Sequence, residues 1–231
     1  QREGQGHGGE QQRAFLDGAA VMPDSRRTMR RLALIAVLVT TSCGDGSPGT
    51  DFATPEHGLL SVNTAYDFSS GTYSIVDLDS LEVLTDILPV APDALASCEA
   101  GRPWIIERLG HDTLTAVSSE TPFGVDVQHS VGNGANPQSM VLMDDGDALI
   151  ALLDRDYLLR MDPATGEETG RIDLAWAADA DGLPEAVLMV RAGDLVVVAL
   201  QRLDRETAMW DPSGPGWLVL VDPSTAEVVM S

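Results

Sequence analysis

The residues of this chain best able to do chemistry fall in two stretches of its second half. Asp173, Asp179, Asp181 and Glu185 stand around the string DADG. Carboxylates so spaced on a loop could ligate Ca²⁺, a hard cation that takes about six to eight oxygen ligands. An EF-hand reading fails, because counting Asp179 and Asp181 as loop positions three and five puts Ala177 at position one and Leu188 at the bidentate position. An acidic, solvated connection is the plainer reading in so acidic a chain. Ca²⁺ is the one cofactor these residues suggest. The second stretch, Gln201 to Gly216, holds Arg202, Arg205, Met209 and Trp210, and arginine and aromatic side chains on a long loop are what binding surfaces use. Trp210 could equally pack over the sheet beneath it. No catalytic residue emerges. His57, His111 and His129 lack metal-ligand spacing, and no Gly-x-Ser-x-Gly, phosphate-cradling loop or dinucleotide fingerprint occurs.

These stretches need a frame, and the sequence supplies a repeated one. LLRMDPATGEETGRIDL at 158–174 is an apolar strand, a turn and a second strand, echoed by LVLVDPSTAEVV at 218–229 and YSIVDLDSLEVL at 73–84. Asp162 can accept hydrogen bonds from turn amides, Pro163 presets φ, and Gly166 can take positive φ at a bulge. Short runs of Val, Leu and Ile punctuated by Gly, Asp, Pro and Ser predict strands at 59–65, 73–77 and 81–88, with Pro89 and Pro92 breaking the ladder. Further strands are predicted at 104–108, 113–117, 125–131, 139–143, 148–153, 186–190, 195–200 and 217–222. Ser118 takes the place that Asp77, Asp162 and Asp222 hold in the other units. Pro137 to Pro184 and Gly146 to Gly193 share one spacing of 47 residues, which indicates a repeat. Strands such as LVLV at 218–221 are continuously apolar and should be covered on both faces. Antiparallel strands in units of forty-odd residues predict an all-β fold, a β-propeller of four-stranded blades with about four blades present.

Charge and the chain ends bound the rest. The chain has 231 residues and a formal charge of −22, and every basic side chain is Arg. Six of the fourteen arginines and four of the 36 acids precede Cys43, which leaves the remainder at −24. Such acidity excludes nucleic-acid backbone binding, which needs clustered positive charge. Residues 1–28, rich in Gln, Gly and Arg, have little to bury and are set aside. From Met29, Arg30 and Arg31 precede the apolar run Leu32–Val39 and the small residues Thr40-Thr41-Ser42, which is the order of a secretory signal. Its apolar run is too short to span a bilayer, which takes about 20 residues. Cys43, followed by a Gly/Ser/Pro-rich stretch over 44–56, resembles the lipobox cysteine of bacterial lipoproteins, although Thr40 stands where that family usually has Leu. The resemblance implies lipidation at Cys43, a membrane anchor and a flexible tether, with a secreted or periplasmic soluble form as the alternative. Cys98 would then have no disulfide partner, and it reads as a small buried residue rather than a nucleophile.

Over 57–231 the sequence resembles the YVTN-type repeat β-propellers of bacterial extracytoplasmic proteins. The matching residues are Pro137, Asp145, Gly146, Met161, Asp162, Thr165 and Gly166, then Pro184, Gly193, Val221, Asp222 and Thr225. The resemblance implies fold and location rather than a reaction, and it implies six to eight blades, so that a C-terminal part of the ring would be missing. The expectation is an envelope-anchored binding or scaffolding protein for a protein, glycan or small-molecule ligand. Two alternatives stand beside it: a propeller enzyme such as a quinoprotein-like dehydrogenase or a lyase, and a Ca²⁺-stabilised adhesin.

Overall fold

The computed structural model describes residues 52–207 and 210–230. The signal-like segment, Cys43 and Met209 lie outside them. The described residues are all β apart from one 3₁₀ turn, Ala175–Ala177. The first sheet holds β1 (Gly58–Thr64), β2 (Gly71–Asp77) and a last strand split into β3 (Val83–Leu84) and β4 (Pro89–Val90), both paired with β2. The second is β5 (Ala94–Glu99), β6 (Arg102–Glu107), β7 (Thr113–Val117) and β8 (Val125–Ser130), paired in that order. The third is β9 (Pro137–Leu142), β10 (Ala148–Leu152), β11 (Tyr157–Met161) and β12 (Glu168–Asp173). After β13 (Ala186–Ala192) and β14 (Leu195–Leu200) comes a small ribbon, β15 (Leu203–Asp204) with β16 (Asp211–Pro212); β17 (Trp217–Asp222) and β18 (Glu227–Met230) then complete the fourth sheet. All pairings are antiparallel, and the four main sheets are the blades of a β-propeller.

The core lies between blades rather than within them. Leu60, Tyr73 and Ile75 of blade 1 meet Ile105, Val117 and Phe123 of blade 2. Trp104, Ile106 and Leu114 of blade 2 meet Met140, Ile150 and Leu159 of blade 3. Val141, Leu149 and Leu158 of blade 3 meet Met189, Val198 and Val219 of blade 4. Successive residues of a strand face opposite ways, so a blade with neighbours on both sides needs a continuously apolar strand. That is why Trp104, Ile105 and Ile106 run together, and why all of β10 is buried. In β17 the expected double cover is absent: Val219 and Val221 are buried, whereas Leu218 is 66% exposed beside Leu188 and Val190 of β13. Among the described residues no sheet packs on that side of blade 4.

The turns follow their sequence chemistry. The Asp77, Asp162 and Asp222 carboxylates accept from the amides two residues on, at 2.8, 2.7 and 2.9 Å. Ser118 does the same with its hydroxyl oxygen, at 3.2 Å from the Glu120 amide. Gly166 has φ +77° in the turn after β11, where its amide donates to the Asp162 carbonyl, and a Cβ there would meet the His129 ring at 2.5 Å. The same position is Leu81 in blade 1 and Ala226 in blade 4, at φ 63° and 58°.

Several sequence expectations need correction. Pro89 does not break the ladder: it lies in β4 opposite Thr72, on an edge strand where a missing N–H is tolerated. The inner strand β5 was not foreseen, because ALASCE lacks the Val/Ile enrichment of its counterparts. Cys98 lies on β5 and is exposed, not buried. Pro137 and Pro184 are not equivalent, because Leu152 pairs with Pro137 while Leu200 pairs with Ala186. The true counterparts are Asn136 and Glu185, whose carbonyls accept from Leu153 and Gln201.

The exclusive use of Arg has a structural counterpart. Arg108 of blade 2 donates to Gln138 of blade 3 at 2.8 Å, Arg160 of blade 3 to the Pro223 carbonyl at 3.1 Å, and Arg191 of blade 4 to the Leu142 carbonyl at 3.1 Å. Each guanidinium spans a blade boundary while also pairing with Asp93, Asp145 or Asp144. A planar fork of five donors can do this; an ammonium cannot with the same geometry.

Candidate binding surface

The two stretches singled out in the sequence fold onto one another at blade 4. Glu185, fully buried and at φ 48°, is their junction. Its Oε2 accepts from the Leu203 amide at 3.0 Å and its Oε1 from Arg205 Nε at 3.0 Å, so one carboxylate from the connection holds the insertion. Arg205 also donates to the Leu153 carbonyl at 3.0 Å and pairs with Asp154, which ties the insertion to blade 3. Asp181 Oδ2 is 3.9 Å from Arg205 Nε, a charge contact without a hydrogen bond. Asp179 and Asp181 shape the connection, accepting from the Asp181 and Leu183 amides at 3.2 and 2.9 Å.

Burial pushes the Glu185 carboxyl above its ordinary range; the Leu203 amide opposes this and Asp181 adds to it. For Arg205 burial acts downward, but the hydrogen bond and charge of Asp154, with Glu185, hold it above the ordinary arginine value. The Ser213 hydroxyl chiefly holds Asp179 below the usual carboxylate range, helped by the Asp181 amide and Arg202.

An aromatic layer lies over this polar junction. Asp173 accepts from the Ala175 amide at 3.0 Å and so starts the 3₁₀ turn that carries Trp176. Trp176 stacks on Trp217 with centroids 6.0 Å apart and planes at 28°. The Arg202 guanidinium lies 4.3 Å from the Trp217 ring and that of Arg205 4.7 Å from the Trp210 ring. Trp176 and Trp210 remain 46% and 44% exposed. Half-exposed indoles, Trp210 backed by the Arg205 guanidinium and Trp176 by the Trp217 ring, can stack against a ring or a flat apolar group.

Of the residues marked in the sequence, Asp181, Glu185 and Arg205 come together, with Asp179 and Arg202 beside Ser213. Asp173 instead positions Trp176. Among the described residues no three His, Cys, Asp or Glu side chains are placed to hold a metal ion. Asp181 and Glu185 instead face the Arg205 guanidinium, at 3.9 and 3.0 Å from its Nε. Asp154, Ser213, Trp176 and Trp217 were missed. A signal for two of them existed, since three of the four Trp residues lie within or beside the two stretches.

No family model matches the chain, and no curated protein does. Among solved structures, a luciferin-regenerating enzyme superimposes with a TM-score of 0.50 at 12% identity, over 73% of this chain and 58% of that one. Virginiamycin B lyase from Staphylococcus aureus gives 0.49 at 10% identity over 74% and 54%, and a protein of unknown function from Bacteroides caccae gives 0.47 at 13% over 76% and 67%. The chain thus spans little more than half the length of the first two. At such identities the likeness concerns the fold, and it is the first of these that supports the sheet arrangement seen here.

Proposed function

We propose that this chain is part of an exported, envelope-anchored propeller of the YVTN-repeat type that binds a ligand and is not itself an enzyme. The observation that carries the reading is the junction at blade 4. Two segments in which blade 4 departs from the repeat are joined through Glu185 and Arg205, and together they present Trp176 and Trp210 to solvent. Export and lipidation rest on the signal-like order from Met29 to Cys43. Among the described residues this surface presents indole rings to solvent, which favours binding as the reading. The test titrates cell-wall oligosaccharides and envelope peptides, as separate probes, against indole fluorescence. One probe class should shift the emission in the native chain and in Trp104→Phe, whose ring is buried, but not in Trp176→Ala or Trp210→Ala. If neither class shifts the emission, or the shift survives both alanine variants, the surface is not the ligand site. Palmitate labelling confined to Cys43 is expected in cells, and an intact N-terminus in the cytoplasm would contradict the location.

A further inference from the structure

The loops at one end of the strands are tied into a single face. Arg155, in the turn after β10, donates to the Asn133 and Gly134 carbonyls in the connection after β8, at 2.7 and 2.8 Å. Asp112, after β6, accepts from the Gly134 and Asn136 amides at 2.7 and 2.8 Å, and Arg205, after β14, reaches the Leu153 carbonyl. Blade 1 joins them, because the Ala91 amide, next to the residue that pairs with the start of β2, donates to Glu107 at the end of β6 at 2.8 Å. Among the described residues the four exposed aromatic side chains all stand on this face. Tyr66 and Phe68, 94% and 65% exposed, occupy the β1–β2 loop, and Trp176 and Trp210 belong to the blade 4 surface. Leu109, after β6, is exposed there too. The β1–β2 loop is held by its own bonds: the Ala65 and Phe68 amides donate to the Ser70 and Ala65 carbonyls, both at 2.9 Å, and the Ser69 amide to Asp67 at 3.1 Å. Its rings are thus presented with little backbone freedom left to lose on binding.

Charge decides what such a face can receive. Its loops, 65–70, 91–93, 108–112, 131–136, 153–156, 174–185 and 201–216, carry eleven acids and four arginines. The arginines are engaged within the protein: Arg108 by Gln138 and Asp93, Arg155 by carbonyls, Arg205 by Glu185 and Asp154, and Arg202 over the Trp217 ring. Asp67, Glu206 and Asp211 are exposed. From blade 1 to blade 4 the face therefore offers aromatic rings and carboxylates. Such a face repels a second copy of itself and an anionic bilayer, and a neutral glycan would leave its carboxylates unmatched. Further blades would stand beside blades 1 and 4 and extend the face without covering it. The chain also enters from the other end, where Phe52 packs edge-on against Phe123 and Thr54 Oγ1 accepts from the Thr121 amide at 3.1 Å, both partners in the β7–β8 loop.

We propose that this whole face docks a basic protein surface on which lysine or arginine side chains stand beside apolar ones, an inference that rests on the binding role of the blade 4 surface. The partner's cations lie over the exposed rings and pair with Asp67, Glu206 and Asp211, and its apolar groups meet Phe68 and Leu109. Opposite charge guides the approach, and the aromatic side chains supply the contact area that holds it.

The absence of lysine supplies the readout. A carbodiimide that couples carboxylates to amines reports on a partner's lysines alone, apart from the chain's own terminal amine. The full chain is cross-linked to the lysine–leucine peptide KLLKLLKKLLKLLK and, as a control, to KSSKSSKKSSKSSK, and the coupled carboxylates are mapped by mass spectrometry. The leucine peptide should label Asp67, Glu206 and Asp211 about five-fold more than Glu120, Asp194 and Glu227, which are exposed at the opposite end, the gain expected from one exposed cation–π contact. The serine peptide should label both ends alike, and Tyr66→Ser with Phe68→Ser should bring Asp67 down to that level. Labelling by the leucine peptide no greater on this face than at the opposite end overturns the proposal, since general acidity then suffices. Labelling confined to Glu206 and Asp211 also overturns it, while leaving the smaller blade 4 surface standing. Coupling of the terminal amine to this face without peptide overturns it, because the chain then covers itself. An emission shift with cell-wall oligosaccharide that Trp176→Ala abolishes, and none with the leucine peptide, gives the face a glycan and overturns it too.

Discussion

At the scale of single residues, Glu185 and Tyr73 make the sharpest claims. Glu185 is fully buried with two hydrogen-bonded partners, so Glu185→Ala leaves the Leu203 amide and one face of Arg205 unsatisfied. A loss of about 2–4 kcal/mol is expected in denaturant unfolding, and about 1–2 for Glu185→Gln, which keeps an acceptor. The pH dependence has a definite sign. Because burial raises the folded-state value of Glu185, its contribution is fully present below its unfolded value and is lost as pH rises through the folded one. The Tm of the native chain relative to Glu185→Gln should therefore rise as pH falls toward the ordinary glutamate value; a flat difference would contradict the burial. Asp77, Asp162 and Asp222 act oppositely, since backbone and hydroxyl donors lower them, and their contribution is lost as pH falls below the ordinary aspartate range. Tyr73 donates to the Phe123 carbonyl, and burial pushes its hydroxyl up to about 12. The folded state should lose stability between its unfolded value near 10 and about 12, with no phenolate absorbance from Tyr73 until the upper end.

At the scale of elements, the turn after each third strand was the most legible part of the chain. Asp-x-x-Thr-Gly states its geometry in residue types, because a carboxylate two residues before an amide and a glycine at positive φ are local requirements. Inner strands were the least legible. β5 is flanked by small residues, and its place depends on pairing with β6, which no local pattern encodes. Pro137 and Pro184 misled for a related reason. A two-residue turn at Gly193–Asp194 replaces the longer turn between β9 and β10, so equal spacing in sequence did not mean equal position. The same comparison yields a prediction at Ala226, which is held at φ 58° where blade 3 has Gly166. Ala226→Gly should stabilise by about 0.5–1 kcal/mol, the left-handed penalty less the entropy glycine adds to the unfolded chain. A lower Tm would show that the turn is not strained.

At the scale of the whole molecule, the two ends of the blade series differ. The outer side of blade 1 carries a polar network in which Asn63 donates to Ser74 at 2.7 Å and Thr72 to Asp86 at 2.8 Å. Blade 4 instead shows Leu188, Val190 and Leu218 more than half exposed. Contiguous apolar side chains on one sheet favour association, so replacing all three by Ser should lower 8-anilinonaphthalene-1-sulfonate fluorescence and reduce light scattering; unchanged values would mean the patch is not sticky. The candidate surface itself was half legible. The connection and the insertion stood out because they depart from the repeat. Their union did not, because Glu185 and Arg205 are twenty residues apart and meet only when β14 returns to the connection.

That union is the centre of the account, and a double-mutant cycle measures it. Glu185→Gln, Arg205→Met and the double variant are unfolded in urea, and the coupling is the departure from additivity. A coupling of about 1–3 kcal/mol is expected if one ion pair clamps the insertion to the connection. Additive losses within about 0.3 kcal/mol would mean that the two segments fold independently, and the binding surface described here would not exist as a unit.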